Sequence, residues 1–262
     1  MPKKQLIQKI GKSFGSAVES YDVSARLQRY SGQQIMQNLP AEKNSIVLDI
    51  GSGTGFFANI LAAKYQCVFA LDVSKNMLEH AKQVRPNKVH WLNGDMHHLP
   101  FQDNSIDIIY SNLVIQWSQP LSEVLAEIKR VLKPGGTFAF TSLLDGTLKE
   151  LKQAWATVDD DQHVINFNSF SSINEELMKS GMIIADLTNK PVVLEYHSVR
   201  HLAGELKGLG ANHVPNKARK GLAGKEAWQN MTLAYEKHMG DKGTYPATYQ
   251  LCTGLLSKLE EF

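Results

Sequence analysis

The chain has 262 residues, 43% of them hydrophobic, and its formal net charge at pH 7 is +2. This composition supports a sizeable core in one large domain or in a domain with an inserted cap, and so mild a charge does not indicate nucleic-acid binding. The two cysteines lie far apart, so we expect neither a disulfide framework nor a metal site. No stretch approaches the ~18 apolar residues of a membrane span, so we expect a cytoplasmic protein without membrane contact.

Four successive parts of one domain are predicted along the chain. Residues 1–40 are expected to form a helical arm, which precedes a cofactor-binding core over residues 41–143. A cap and the remaining strands are expected within residues 144–240, and the C-terminal strand within residues 241–262. The arm and the cap flank the core, so they are the parts expected to select the substrate.

An apolar stretch at residues 46–50 leads into a glycine-rich loop, which predicts a buried parallel strand followed by a helix over residues 56–65. Glycine occupies every second position of the loop: Gly51, Gly53 and Gly55. The dinucleotide fingerprint requires glycine at the sixth position of such a loop, where this chain has Phe56. Asp49 would repel a phosphate and attract an ammonium group. We therefore expect a cofactor with positive charge near the loop, although a glycine turn without a ligand is the alternative.

Three more short apolar stretches predict strands that end in polar residues. Residues 68–71 lead to Asp72, about 20 positions beyond the first glycine, where a carboxylate can accept both hydroxyls of a ribose. Ser74 is predicted to cap a helix that runs through Ala81. Residues 89–92 and 106–110 predict the other two strands, and the residues that follow them include Asp95, Met96 and Asn112. In open α/β sheets these positions meet in one crevice, although an acid there can also be a turn residue.

These motifs resemble the class I S-adenosylmethionine-dependent methyltransferases. The resemblance spans roughly residues 45–143 and is carried by residues 49–55, 72–74, 77–78, 94–95 and 132–136. It implies an α/β fold with a Rossmann-like, mostly parallel seven-stranded sheet and helices on both faces. It also implies S-adenosyl-L-methionine as the cofactor. The residues implied to bind this cofactor are Asp49, Gly51, Gly53 and Gly55 near its methionine moiety, Asp72 and Val73 at its ribose, Asp95 and Met96 around its adenine, and Asn112 in the same crevice.

The second half of the chain predicts both helices and strands. Helices are predicted over residues 147–158 and 174–180, strands over residues 182–187 and 192–196, and a last strand over residues 245–251. Leucines at positions 202, 206 and 209 have helical spacing. The segment 214–225 then contains four positive charges and no acid, so it could bind an acidic partner or be an ordinary solvated surface.

A narrower resemblance covers nearly the whole chain. Residues 14–15, 21–22, 27–29, 111–113, 116–117, 153–155, 158–159, 206–213 and 248–249 resemble the malonyl-acyl-carrier-protein O-methyltransferases of biotin synthesis. This resemblance implies methyl esterification of the free carboxylate of a malonyl thioester, with acidic malonyl-acyl-carrier protein or malonyl-coenzyme A as partner. The chain departs from the family at Gly204, where some relatives carry arginine, and at residues 166–168, which lack an expected basic residue.

The chemistry of such a transfer limits which residues are needed. Displacement at a sulfonium methyl is in-line, and a carboxylate with a pKa near ~4 is already ionised at neutral pH, so no general base is required. One or two donors should hold the anion, such as a cation and a tyrosine hydroxyl. The acceptor-side candidates are Tyr21, Gln116, Trp117, Lys207, Arg200, His213 and Tyr249, with Arg29 behind them. The Tyr21 ring could also contact the sulfonium. His97 and His98 indicate neither a metal pair nor a base.

Three other functions are compatible with the same sequence. The chain could methylate another small acceptor such as a quinone precursor, or it could bind the cofactor without catalysis as a sensor or partner. Nucleic-acid methylation is the least favoured, because the net charge is weak and an asparagine-proline-proline-aromatic motif is absent after the fourth strand.

Overall fold

The computed structural model describes residues 3–85, 88–210 and 223–260. The α-helices in these ranges are α1 Lys3–Gly15, α2 Val18–Ser24, α3 Arg26–Met36, α4 Phe56–Lys64, α5 Lys75–Val84, α6 Leu121–Val131, α7 Lys149–Trp155, α8 Phe170–Lys179, α9 Val199–Gly208 and α10 Ala223–Tyr235. The strands are β1 Ile46–Ile50, β2 Cys67–Asp72, β3 Val89–Asn93, β4 Ile106–Asn112, β5 Leu132–Leu143, β6 Ile183–Tyr196 and β7 Tyr245–Ser257.

The strands form one mostly parallel sheet in the order β3-β2-β1-β4-β5-β7-β6. The first five strands are parallel, and β7 is antiparallel to both of its neighbours. In this register Asp49 of β1 lies beside Ala70 of β2 and Tyr110 of β4, so these strands end at a common edge. The predicted Rossmann-like fold with seven strands is confirmed.

Alternating side chains of β1 explain why helices cover both faces of the sheet. Leu48 and Ile50 pack into one core cluster with the amphipathic helix α6, while Val47 packs into another with Phe57 and Leu61 of α4. Neighbouring residues of a strand point to opposite faces, so an uninterrupted apolar strand requires an apolar partner on each side. This packing holds the loop that follows β1 at the edge of the sheet.

The structure revises several predicted elements. The two strands expected at residues 182–187 and 192–196 form the single strand β6, because Pro191 lies in an edge strand, where its missing N–H group is tolerated. The last strand continues past residue 251 to Ser257. The helix predicted over residues 147–158 is shorter, and the helix predicted over residues 174–180 begins earlier, at Phe170. The predicted Ser74 cap is confirmed, since its hydroxyl accepts from the Met77 N–H.

The arm packs against elements close to the other end of the chain. Leu27 of α3 joins a buried cluster with Leu202 of α9 and Tyr249 of β7. Arg26 Nε donates to Glu205 Oε2 at 2.8 Å, and Tyr196 donates to the other oxygen of this buried carboxylate. The helical arm, α9 and the antiparallel strands are thereby connected.

Among the helices of the described ranges, none has both the length and the apolar character needed to cross a bilayer.

We predict that Gly254→Ala destabilises the fold by about 1–3 kcal/mol, because the new methyl group would lie 2.1 Å from Phe140 Cε1 in the buried core. Chemical denaturation gives the free energy of unfolding. Gly204→Ala is the matched control, since nothing lies within 4 Å of its added Cβ and the site is in helix α9. Gly204→Ala should raise the free energy of unfolding by about 0.5–1 kcal/mol. If Gly204→Ala and Gly254→Ala destabilised the protein equally, this account of the core would be wrong.

Candidate functional site

The glycine loop after β1 is shaped by backbone that other residues adopt poorly. Gly51 and Gly55 both have φ of +72°. A Cβ atom at Gly51 would lie 2.3 Å from Val114, and one at Gly55 would lie 2.3 Å from Trp91. Gly51 N donates to Leu71 O at 2.7 Å, which joins the loop to β2. The loop is therefore a tight turn that leads directly into helix α4 and leaves no room for a side chain at Gly51 or Gly55.

Asp72 holds this loop to the next strand. Its carboxylate accepts from Gly53 N at 2.9 Å and from Ser74 N at 2.7 Å. Burial raises the pKa of Asp72, and these two backbone N–H groups oppose the rise. Each carboxylate oxygen is an acceptor with capacity for a further bond, as a ribose diol would require.

A cleft opens beside Asp72. The predicted site residues that line it are Tyr21, Gly51, Gly53, Asp72, Val73, Asp95, Met96, Asn112 and Trp117. The other lining residues are mostly apolar and include Ile7, Ile10 and Phe14 of helix α1. Phe14 meets the Trp117 ring edge-on, with the ring centroids 5.5 Å apart. The concave shape and the apolar lining suit a small organic molecule, such as a nucleoside.

Asp95 is fixed at the edge of this cleft by His97. Asp95 Oδ1 accepts from the His97 backbone N–H at 3.0 Å and lies 2.7 Å from the ring Nδ1. The His97 ring is buried. We conclude that His97 orients the carboxylate of Asp95.

A second, smaller cavity, the polar cavity, adjoins the first and is lined mainly by residues with polar side chains. Four buried polar atoms along its wall have no hydrogen-bond partner among the described residues: Gln28 Oε1, Asp49 Oδ2, Ser52 Oγ and the Tyr110 hydroxyl. Buried polar groups are normally bonded, so this cluster indicates a polar ligand. Burial, together with the nearby Asp72 carboxylate, raises the pKa of Asp49 to about 8, and a backbone N–H at Ala58 opposes this only in part.

Three residues line both cavities, namely Tyr21, Gly51 and Asn112. The polar atoms of Asn112 bind within the protein, because Oδ1 accepts from Ser31 and Thr141 and Nδ2 donates to Gln28 O. Tyr21 comes from helix α2 of the arm. Burial and nearby carboxylates raise its pKa, so the hydroxyl stays neutral. A ligand that occupied both cavities would pass its middle portion beside these three residues.

The arm is held over the site by Asp22, the neighbour of Tyr21. Asp22 Oδ1 accepts from the Thr54 hydroxyl at 2.6 Å, and its other oxygen pairs with Arg85. Arg29 of α3 also lines the polar cavity, where its guanidinium lies over the Phe56 ring and donates to the Asp22 carbonyl. The arm therefore contributes both an aromatic ring and a cation to the site.

Several acceptor-side candidates do not line either cavity. Gln116 lies beside Trp117, but its amide donates to Leu113 O and accepts from Ser142. Tyr249 is buried, with its hydroxyl 3.3 Å from that of Tyr196. Lys207 and Arg200 are exposed on helix α9. His213 and most of the basic segment lie outside the described residues.

The apolar wall that helix α1 of the arm provides was not predicted from the sequence. Ile7, Ile10 and Phe14 have the i, i+3, i+7 spacing of one helix face, which was a readable signal. The polar wall formed by Gln28, Ser52 and Tyr110 gave no local signal, because its members come from three distant parts of the chain.

In the described ranges no group of three or more His, Cys, Asp or Glu side chains is arranged to hold a metal.

We predict that Asp49→Asn stabilises the ligand-free protein more at pH 8 than at pH 5. Between about pH 4 and pH 8 the folded protein retains the Asp49 proton that the unfolded chain releases, so wild-type stability falls as the pH rises through this window. Asparagine is neutral throughout and lacks this dependence. The difference in unfolding free energy between the two proteins should grow by at least ~1 kcal/mol over the window. A constant difference would mean that Asp49 is ionised in the fold.

The chain is similar to several known proteins. Residues 48–140 match the family described as the methyltransferase domain. The chain is 36% identical to the malonyl-acyl-carrier-protein O-methyltransferase of Hamiltonella defensa over 247 residues, which cover 94% of this chain and 93% of that protein. It is 39% identical to the biotin biosynthesis bifunctional protein BioHC of Cellvibrio japonicus over 252 residues, 96% of this chain, but it spans only 50% of that longer protein.

A solved structure shares the fold at low identity. Phosphoethanolamine N-methyltransferase 2 of Haemonchus contortus, in complex with S-adenosyl-L-methionine, has a TM-score of 0.61 and 20% identity. The match covers 94% of this chain and 57% of that one.

Proposed function

Because this chain belongs to the malonyl-acyl-carrier-protein O-methyltransferase family, we propose that it esterifies the free carboxylate of a malonyl thioester with the methyl group of S-adenosylmethionine, an early step of biotin synthesis. The observation that carries the proposal is the extent of the similarity, which covers 94% of the chain and therefore includes the arm and the cap as well as the cofactor core. Those outer parts choose the acceptor in a fold whose core serves many reactions. The activity itself is that of an S-adenosylmethionine-dependent methyltransferase.

The two cavities fit the two ends of this cofactor. The nucleoside would occupy the apolar cleft, with its ribose hydroxyls on Asp72 and its adenine beside Asp95 and Met96. The amino-acid end would occupy the polar cavity, where its ammonium group would meet Asp49 and its carboxylate would meet Arg29. The unpartnered oxygens of this cavity support the assignment, since they provide acceptors for ammonium hydrogens. Arg29 is thus proposed for the cofactor rather than for the substrate anion.

The sulfonium would lie where the cavities join, beside Tyr21, Gly51 and Asn112. The cofactor supplies an electrophilic methyl group at this point. The Tyr21 ring can stabilise positive charge there by a cation–π contact. Asp72, together with Asp49 once a bound cation lets it ionise, would place negative charge at the same edge of the sheet, which favours a cationic ligand over a phosphate.

The acceptor would approach across the aromatic side chains of Phe14, Tyr21 and Trp117. These rings exclude water from the carboxylate, which makes it a better nucleophile, and they cannot pair with the anion so tightly that its reactivity is lost. The reaction needs no general base from the protein, because the carboxylate of the acceptor is already ionised before it binds. Positioning at the ~3–3.5 Å distance of an in-line attack is the main contribution of the protein.

The discriminating experiment compares methyl transfer from radiolabelled cofactor to malonyl-carrier protein, acetyl-carrier protein, malonyl-coenzyme A and a phenolic quinone precursor. The proposal predicts transfer to the malonyl thioesters alone, because the acetyl group lacks the carboxylate. Methyl transfer to the phenol, without transfer to either malonyl substrate, would indicate a methyltransferase for a different small molecule. Cofactor binding without turnover on any acceptor would indicate a non-catalytic protein.

We predict that Asp72→Ala weakens cofactor binding by about 1–3 kcal/mol, because two hydrogen bonds to a charged acceptor are lost. Isothermal titration with S-adenosylhomocysteine measures the change. Asp72→Asn is the matched variant, since its amide keeps the size of the side chain and one acceptor oxygen for Gly53 N or Ser74 N. It should lose less affinity than the alanine variant. An unchanged dissociation constant in Asp72→Ala would reject the ribose role.

A further inference from the structure

Helix α1 presents a cationic outer surface on the side opposite the cofactor cleft. The helix contains four lysines and no acid over its 13 residues. Its inner side supplies Ile7, Ile10 and Phe14 to the cleft, while Lys9 and Lys12 are exposed on the outside. Neither of these two lysines forms a salt bridge with a residue of the described ranges. Only one helix diameter, about 10 Å, separates these charges from the cleft.

Helix α9 presents a second set of unpaired cations. Arg200 and Lys207 are exposed, and no described side chain forms a salt bridge with them. The one acid of this helix, Glu205, is buried and bonded to Arg26 and Tyr196. The exposed side of α9 therefore carries positive charge without a compensating carboxylate.

The C-terminal ends of these two helices meet beside the site. Ser13 of α1 donates from its hydroxyl to Gly210 O at 2.8 Å, just beyond the end of α9. Ser20 of α2 donates to Gly208 O at 3.0 Å. The residues next to these two serines are Phe14 and Tyr21, which line the cleft. Lys12 and Lys207, in the last turns of α1 and α9, are thereby brought to one region next to the aromatic end of the cleft, and Lys9 and Arg200 extend the cations along the two helices away from it.

We propose that Lys9, Lys12, Arg200 and Lys207 form a cationic surface that docks the acidic carrier protein to which the malonyl group is attached. This inference rests on the proposed function and specifies where its macromolecular partner binds. Charge complementarity identifies the occupant, because the surface adjoins the end of the cleft at which the acceptor would enter and carries unpaired cations from two separate helices. Lys207 would then contact the carrier and not the malonyl carboxylate, which agrees with its exposure outside the cleft.

An exposed acid in the same region allows a test in which docking should become stronger instead of weaker. Glu19 of α2 is exposed and precedes Ser20, which contacts the end of α9. If an acidic partner docks here, Glu19 opposes it. Replacing Glu19 by lysine should therefore strengthen docking, whereas it would have no such effect if the cations were merely solvated.

The test uses two double variants, Lys9→Glu/Lys12→Glu and Arg200→Glu/Lys207→Glu. Each is assayed with malonyl-carrier protein and with the malonyl thioester of N-acetylcysteamine, a small substrate that has no carrier surface. We expect kcat/KM for the carrier substrate to fall at least tenfold in each double variant and to change less than twofold for the small thioester. Glu19→Lys should raise kcat/KM for the carrier substrate about twofold or more. Lys43→Glu, an exposed reversal in the loop before β1, is the matched control and should change neither value.

Equal losses on both substrates, or no loss on either, would overturn the docking surface while leaving the methyltransferase proposal intact. A wild-type protein that methylates neither malonyl substrate would overturn the proposed function itself. The neutral variants Lys9→Gln/Lys12→Gln and Arg200→Gln/Lys207→Gln serve if a reversal fails to fold. They should show the same selective loss at about threefold or more.

Discussion

The burial of the Asp49 carboxyl group is the constraint on which the site depends. This carboxyl group is 3% exposed, lies one strand away from the buried Asp72, and has no ion-pair partner in the described part of the chain. Removing a carboxylate from water without a partner is costly, so the ligand-free protein keeps Asp49 protonated to about pH 8. A cation in the polar cavity removes that cost. The same arrangement that destabilises the empty fold at higher pH therefore selects for a positively charged cofactor.

The arm converts this edge of the sheet into an enclosed site. Without α1 and α2, the loop after β1 would be an open turn at the end of a strand. Asp22 fastens the arm through Thr54 and Arg85, and this contact places Tyr21 between the two cavities. The arm also reaches α9 through Ser13 and Arg26. Helix α1 thus contributes both to the enclosure of the cleft, through Ile7, Ile10 and Phe14, and to the cationic surface, through Lys9 and Lys12.

The accuracy of the sequence predictions followed the range of the interactions involved. The strand, glycine loop and helix at residues 46–65 were predictable because apolar runs and glycines act within a few positions. The break expected between residues 187 and 192 was wrong, because proline interrupts a central strand but not an edge strand, and the position of a strand in a sheet is not a local property. Lys207 illustrates the same limit for the site, since its residue type fitted an anion ligand while its placement is on the outer side of α9.

The sequence by itself determined the chemistry of the cofactor edge. Asp49, the glycines and Asp72 are specified by residue type and by spacing within 24 positions, and two acidic side chains beside a glycine loop already disfavour a phosphate ligand. Only the tertiary structure decided how that edge is enclosed and which cations face solvent. Those outcomes depend on contacts such as Ser13 with Gly210 and Arg26 with Glu205, which join residues about 180 to 200 positions apart. No local pattern encodes them, because they result from the packing of the arm and the cap against one sheet.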